Sequence, residues 1–149
     1  MQLQSESNPA FNTVTAFGAD YIEINKVAYG HAVYFAPEGD IHQWSICEAG
    51  EITADELKRI AGLSDRPVDP MAFLDGDTTP PKPEDAPEVV LIGTGERQHM
   101  LPPDVTLPLH RVGIGIEAMT TQAAARTYNI LMSEGRRVVV ALLPYKEAA

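Results

Sequence analysis

Three stretches of this sequence predict an α/β fold. Residues 113–144 (GIGIEAMTTQAAARTYNILMSEGRRVVVALLP) read as strand, helix, strand. From Tyr21 to Ile46 apolar and polar residues alternate between turn signals, as in antiparallel strands. Val89-Val90-Leu91-Ile92 is a short apolar run that leads directly into Gly93-Thr94-Gly95, the pattern of a buried strand ending in a tight loop.

The βαβ unit rests on period and punctuation. Ile114 and Ile116 lie in a short strand ending at Glu117, and the hydroxyls of Thr120 and Thr121 suit a helix start. Ala124, Tyr128 and Leu131 then recur at the spacing of one helical face. Gly135 supplies the stop, and the run from Arg137 to Leu143 is apolar enough for a strand covered on both faces. Crossovers of this kind are right-handed, and α/β proteins keep their sites at the outer ends of the strands.

Taken in order, the chain begins with a polar segment, Met1 to about Asn12. This sets the expected division: a tail over residues 1–14 and one domain over residues 15–149. Tyr21 to Ile24 forms a strand, Asn25-Lys26 a tight turn in which Asn tolerates positive φ, and Tyr29 to Phe35 a second strand. Pro37-Glu38-Gly39-Asp40 turns the chain into a third strand, Ile41 to Ile46, which contains Trp44; together these make a meander. Thr53 and Glu56 make a capping box, with Ile52 and Leu57 at the staple positions. That helix runs to about Ala61 and stops at Gly62. Ser64 to Pro87 is rich in Asp, Pro and Thr and reads as a long surface loop, anchored near Met71–Leu74. Leu101-Pro102-Pro103-Asp104 starts a helix that Pro108 should interrupt, leaving one short or distorted turn.

Composition narrows the function. A formal net charge of −10 argues against nucleic acid, whose phosphates require clustered Lys and Arg. A single cysteine, Cys47, excludes an internal disulfide and a thiolate metal cluster; its place at the end of an apolar run suits an inert buried thiol. The opening residues MQLQSESNPAFN resemble neither a signal peptide nor an Arg-rich transit sequence, and no apolar run is long enough for an integral membrane segment. The expectation is a cytoplasmic protein without cofactor or metal.

The candidate site lies at the strand ends. Gly93-Thr94-Gly95 follows a buried strand as phosphate-cradling loops do, but it lacks both the third glycine of a dinucleotide fingerprint and the Lys of a P-loop. A turn made tight for packing explains the same glycines, although its N–H groups could still meet a small anion. Gln122, Arg126, Asn129 and Ser133 form a polar helical face, ordinarily a solvated one. Glu117, leaving a strand just before this helix, needs a partner, and the Arg126 guanidinium suits it. The ligand-binding or interaction candidates are therefore Gly93, Thr94, Gly95, Glu117, Gln122, Arg126 and Asn129. His31, His42, His99 and His110 lack metal-ligand spacing, and no Gly-x-Ser-x-Gly elbow occurs. Glu117 and Glu134 are carboxylates that no motif brings together. No catalytic residue is assigned.

Several motifs are similar to those of a small domain family of largely unknown biochemical function. They are Leu91-Ile92-Gly93-Thr94-Gly95 with Glu96-Arg97-Gln98, Leu101-Pro102-Pro103, Gly113 to Met119, and Thr121 to Leu131 running on through Ser133 to Val138. Weaker agreement extends through Ile24-Asn25, Tyr29, Pro37-Glu38-Gly39 and Trp44. The family includes a mitochondrial assembly factor of respiratory complex I, an adipogenesis-associated cytosolic protein and many short bacterial and archaeal members. The resemblance implies a three-layer fold around a mixed central sheet, with an additional N-terminal antiparallel β section. It implies no established reaction. The loop from Ser64 to Pro87 and Pro108 depart from the family pattern, and the mitochondrial location does not carry over.

Two functions follow. One is a non-catalytic interaction or assembly module with a protein partner of unknown identity, linked to biogenesis of a respiratory complex. The other is a small-anion binder, or an enzyme of unknown reaction, working at Gly93–Gly95 with Glu117 and Arg126.

Overall fold

The computed structural model describes residues 11–18, 20–46, 48–63 and 86–144. Strands β1 (Val14–Phe17), β2 (Ile22–Ile24) and β3 (Val27–Tyr29) form a three-stranded antiparallel sheet. Among the described residues follow β4 (Val33–Phe35), β5 (His42–Gln43), a 3-10 turn (Ala49–Glu51), α1 (Ala54–Ile60), β6 (Val89–Gly93), α2 (Pro103–Arg111), β7 (Gly115–Met119), α3 (Thr121–Ser133) and β8 (Val138–Leu142). The five strands among these build a second sheet in the order β5-β4-β8-β6-β7. β6 is parallel to both β7 and β8, whereas β4 runs antiparallel to β8 and to β5. The sheet is mixed, as expected.

Topology decides which helix covers which face. β6 leads through α2 to β7 on one side, and β7 leads back through α3 to β8 on the other. Two right-handed crossovers that travel in opposite directions must place their helices on opposite faces. The side chains follow with period two. Val90, Ile92 and Ala141 join Leu57, Ile60, Val105, Leu109 and Trp44 in the core under α1 and α2. Leu91, Val138, Val140, Leu142, Val33 and Phe35 point the other way, to Ala124, Ala125, Tyr128 and Met132 of α3. Val14, Ile22 and Ile24 join that second core, so the small sheet lies beside α3 in the same layer. Leu131, expected in the apolar stripe, sits at its edge, while Thr121, Ala125 and Met132 are buried in it.

The N-terminal strands depart from a single meander. Asn25 and Lys26 form the expected turn, with φ of 54° and 71°, and set Ile24 opposite Val27. The expected strand from Tyr29 to Phe35 is instead divided between two sheets. Pairing with β8 sets Val33 opposite Leu142 and buries Val33 and Phe35. The third strand shortens to His42–Gln43, because Trp44 and Ile46 turn into the core; the Trp44 N–H donates to Ala32 O at 2.8 Å. β1 was not anticipated. Beside it Asn12 is buried, and its side chain donates to the carbonyls of Ala36 and Gly39, each at 2.9 Å. Residues 1–10 of the expected tail, Cys47 and residues 64–85 of the expected loop lie outside the described residues.

Helix α1 starts where expected, but only the Thr53 half of the expected capping box forms, because the Glu56 carboxylate is taken by Trp44 and Arg59. The Thr53 side chain accepts from the Glu56 N–H at 3.2 Å, Ile52 and Leu57 are buried, and Gly62 takes φ of +80°. The Glu56 carboxylate accepts from the Trp44 indole at 3.0 Å and pairs with Arg59. Pro108 does not interrupt α2, which runs through it for nine residues. The carbonyl deprived of its helical donor belongs to exposed Asp104, where water can serve it, and Val105 and Leu109 hold the helix against the core.

Candidate functional site

The ends of β6, β7 and β8 meet at the Gly93–Gly95 loop. A Cβ on Gly93 would lie 2.8 Å from Leu142 Cδ2 and 2.9 Å from Thr121 Cα, so this glycine permits a close approach of helix and strand. The Gly93 carbonyl accepts from Leu143 N–H at 2.9 Å. Thr94 donates its N–H to Met119 O at 2.8 Å and its hydroxyl to Arg97 O at 2.7 Å, and the hydroxyl accepts from His99 N–H at 3.1 Å. Gly95, at φ +94°, donates its N–H to Thr121 Oγ1 at 2.9 Å. Thr121 Oγ1 in turn donates to Leu143 O at 2.7 Å, and Thr121 N–H donates to Gly95 O at 2.9 Å.

This geometry makes the loop a packed joint. An anion cradle needs N–H groups aimed at open space, yet those of Thr94 and Gly95 are bonded to protein oxygens. The adjoining cleft, lined by Glu48, Ala49, Gly50, Thr94, Gly95, His99, Leu143 and Pro144, holds about 70 Å³. That is room for a water or two, well below the several hundred Å³ of an ordinary ligand pocket. Thr121 is the residue that sequence reading undervalued. Its hydroxyl was expected near the helix cap, whereas Thr120 fills that role by accepting from Ala123 N–H at 3.2 Å.

The other candidates separate. Glu117 sits in the middle of β7 and is exposed, because β7 is the edge strand and leaves that flank uncovered. This differs from the expected carboxylate at the end of a buried strand. Register with Leu91 puts Glu117 on the α3 face of the sheet. Arg126 is also exposed, and among the described residues no hydrogen bond or ion pair joins it to Glu117. The flank of α3 that carries Gln122, Arg126 and Asn129 turns towards β1: Asn129 Oδ1 accepts from Val14 N–H at 3.0 Å and Nδ2 donates to Val14 O at 2.8 Å. β1 adjoins the end of β4 through Asn12, which donates to Pro37 O at 2.7 Å, and β4 and β7 lie on opposite sides of β6 and β8. Asn129 is thus a structural tie, Gln122 is half-buried, and Glu117 and Arg126 remain on the surface.

A larger hollow, about 330 Å³, opens at the other end of the strands, where Phe11, Pro37, Ile60, Met132, Arg136 and Val139 meet. None of the sequence-predicted residues lines it. No helix among the described residues is long and apolar enough to cross a membrane.

Known proteins share this architecture. A Mth938-like domain from Bordetella pertussis, solved by NMR, is 53% identical and aligns with a TM-score of 0.78, covering 99% of this chain and 95% of its own. An uncharacterised protein of Rhodobacter capsulatus is 46% identical over 57 residues, which is 38% of this chain and 46% of that protein. NADH dehydrogenase [ubiquinone] 1 alpha subcomplex assembly factor 3 of Bos taurus is 40% identical over 57 residues, 38% of this chain and 31% of that protein. The match spans less than half the length of each of these two curated relatives. The family model described as protein of unknown function (DUF498/DUF598) matches residues 14–143, and the chain belongs to that family.

Proposed function

We propose that this protein is a non-catalytic interaction or assembly module, working as one domain with a protein partner in the biogenesis of a respiratory complex. The observation that carries this reading is its 40% identity over 57 residues to a protein named as an assembly factor of NADH dehydrogenase. The strand ends support it from the other side. Where the small-anion reading needs open amides, those of Thr94 and Gly95 are bonded within the protein. The side chains of Glu117 and Arg126 are exposed and make no hydrogen bond or ion pair among the described residues, so both remain available to a partner. A cytoplasmic location, expected from the sequence, belongs to the same proposal, and cell fractionation tests it.

Affinity capture of the intact chain from its native cell, read by mass spectrometry, tests the role. The expected result is recovery of respiratory-complex subunits in amounts comparable to the bait, reduced by Arg126→Ala without a change in Tm. Recovery of no partner above background overturns the proposal.

A further inference from the structure

The edge of β7 is the longest open strand edge among the described residues. At the far side of the same sheet β5 has two residues, and β3, an edge of the small sheet, has three. The edge of β1 is closed at Val14 by the Asn129 amide. β7 has five residues and one neighbour, β6. Gly115 N–H donates to Glu88 O at 3.0 Å, and Met119 O accepts from Thr94 N–H at 2.8 Å. A parallel ladder uses alternate residues, so the backbone groups of Gly115, Glu117 and Met119 face β6 while those of Ile116 and Ala118 face outward. Gln98 Nε2 donates to the outward carbonyl of Ala118 at 2.9 Å. A side chain there occupies the place of a neighbouring strand's N–H.

We infer that β7 receives an extended segment of a protein partner as an added strand, with apolar and basic residues in alternation and a Lys or Arg opposite Glu117. The residue across from Glu117 would share its face of the sheet, where the carboxylate stands exposed and without an ion pair among the described residues. On the other face, Ile116 and Ala118 are half-buried against the α1–α2 core and would continue into apolar side chains of the added strand. The net charge of −10 favours a basic segment at a distance as well as in contact. A second copy of this chain paired about a two-fold axis at Glu117 would oppose carboxylate to carboxylate. Main-chain bonds would supply the affinity and the alternating side chains the choice of partner. Gln98 must release Ala118 O for the strand to enter. The inference rests on the assembly role proposed above and names its contact.

The test uses the intact, 15N-labelled protein titrated with acetyl-Val-Lys-Val-Lys-Val-amide and with its Val/Glu counterpart. Shifts should concentrate at the amides of Ile116 and Ala118, whose hydrogen exchange slows, and the Lys peptide should bind roughly two- to fivefold more tightly than the Glu peptide, the scale of one cross-strand ion pair. Glu117→Lys should reverse that order, and Gln98→Ala should tighten binding of the Lys peptide. Binding of neither peptide, shifts that spare Ile116 and Ala118, an unchanged order in Glu117→Lys, or self-association through β7 would each overturn the inference. Native-cell capture separates the two proposals. A partner recovered equally by wild type and Glu117→Lys sinks strand addition alone. Peptide binding at β7 with no partner recovered sinks the assembly role alone.

Discussion

The Tyr128 hydroxyl donates to the main-chain carbonyl of Asn12 at 2.7 Å, across 116 residues of sequence. The same ring meets Phe35 edge-on, with centroids 5.0 Å apart, so one side chain joins α3, the main sheet and the segment leading into β1. Tyr128→Phe leaves the Asn12 carbonyl without this donor and should cost about 1–3 kcal/mol, whereas Tyr128→Ala also opens a cavity and should cost about 3–5 kcal/mol. Urea denaturation measures both. A loss under about 1 kcal/mol for the alanine variant would contradict the packing described here.

Burial also pushes the Tyr128 phenol well above its ordinary range. The unfolded chain therefore releases this proton at lower pH than the folded one. The Tyr128 contribution is fully present below about pH 10, the unfolded value, and declines above it by about 1.4 kcal/mol per pH unit. Tyr128→Phe should flatten that alkaline decline. An identical slope in the two proteins above pH 10 would show that the phenol is not buried.

Asn129 closes the edge of β1 with two bonds to Val14. Asn129→Ala should destabilise by about 1–3 kcal/mol, with the Val14 amide losing much of its protection from hydrogen exchange. Unchanged protection at Val14 would exclude the tie.

At Gly93 the added methyl of Gly93→Ala meets Leu142 and the backbone of Thr121, and relief requires the helix to move. The expected cost is about 1–3 kcal/mol. Thr121→Val keeps the shape but strips the Gly95 N–H and the Leu143 carbonyl of their partner, again at about 1–3 kcal/mol for each group left unsatisfied. Both variants lose stability if the loop is a packed joint; a Thr121→Val protein as stable as wild type would reject that description.

Arg126 provides the contrast. Its side chain is exposed and has no hydrogen bond or ion pair among the described residues, so Arg126→Ala should change stability by less than about 0.5 kcal/mol. A larger loss in thermal denaturation would reveal a structural role.

Local chemistry made much of the architecture legible. Thr53 and Thr120 announced helix starts, Asn25-Lys26 a hairpin turn, and Val89–Ile92 and Val138–Leu142 strands covered on both faces. Each signal acts within a few residues, where backbone preference and side-chain period suffice. Pro108 misled because a helix defect was judged without the packing of Val105 and Leu109, which holds the helix through it. The meander misled for a similar reason: alternation identifies strands but says nothing of which sheet takes each one.

The candidate site shows the same division. Sequence by itself determined an α/β chain of net charge −10 with a glycine loop after a buried strand and a polar stripe on the helix from Thr121. Tertiary structure alone decided what those features touch. It turned the Thr94 and Gly95 amides to Met119 and Thr121, laid Asn129 along β1, and put Glu117 on an open edge away from Arg126. Those outcomes depend on strand order and on which flank of α3 faces the small sheet. Both are fixed by burying apolar surface contributed from distant parts of the chain, which no local spacing records.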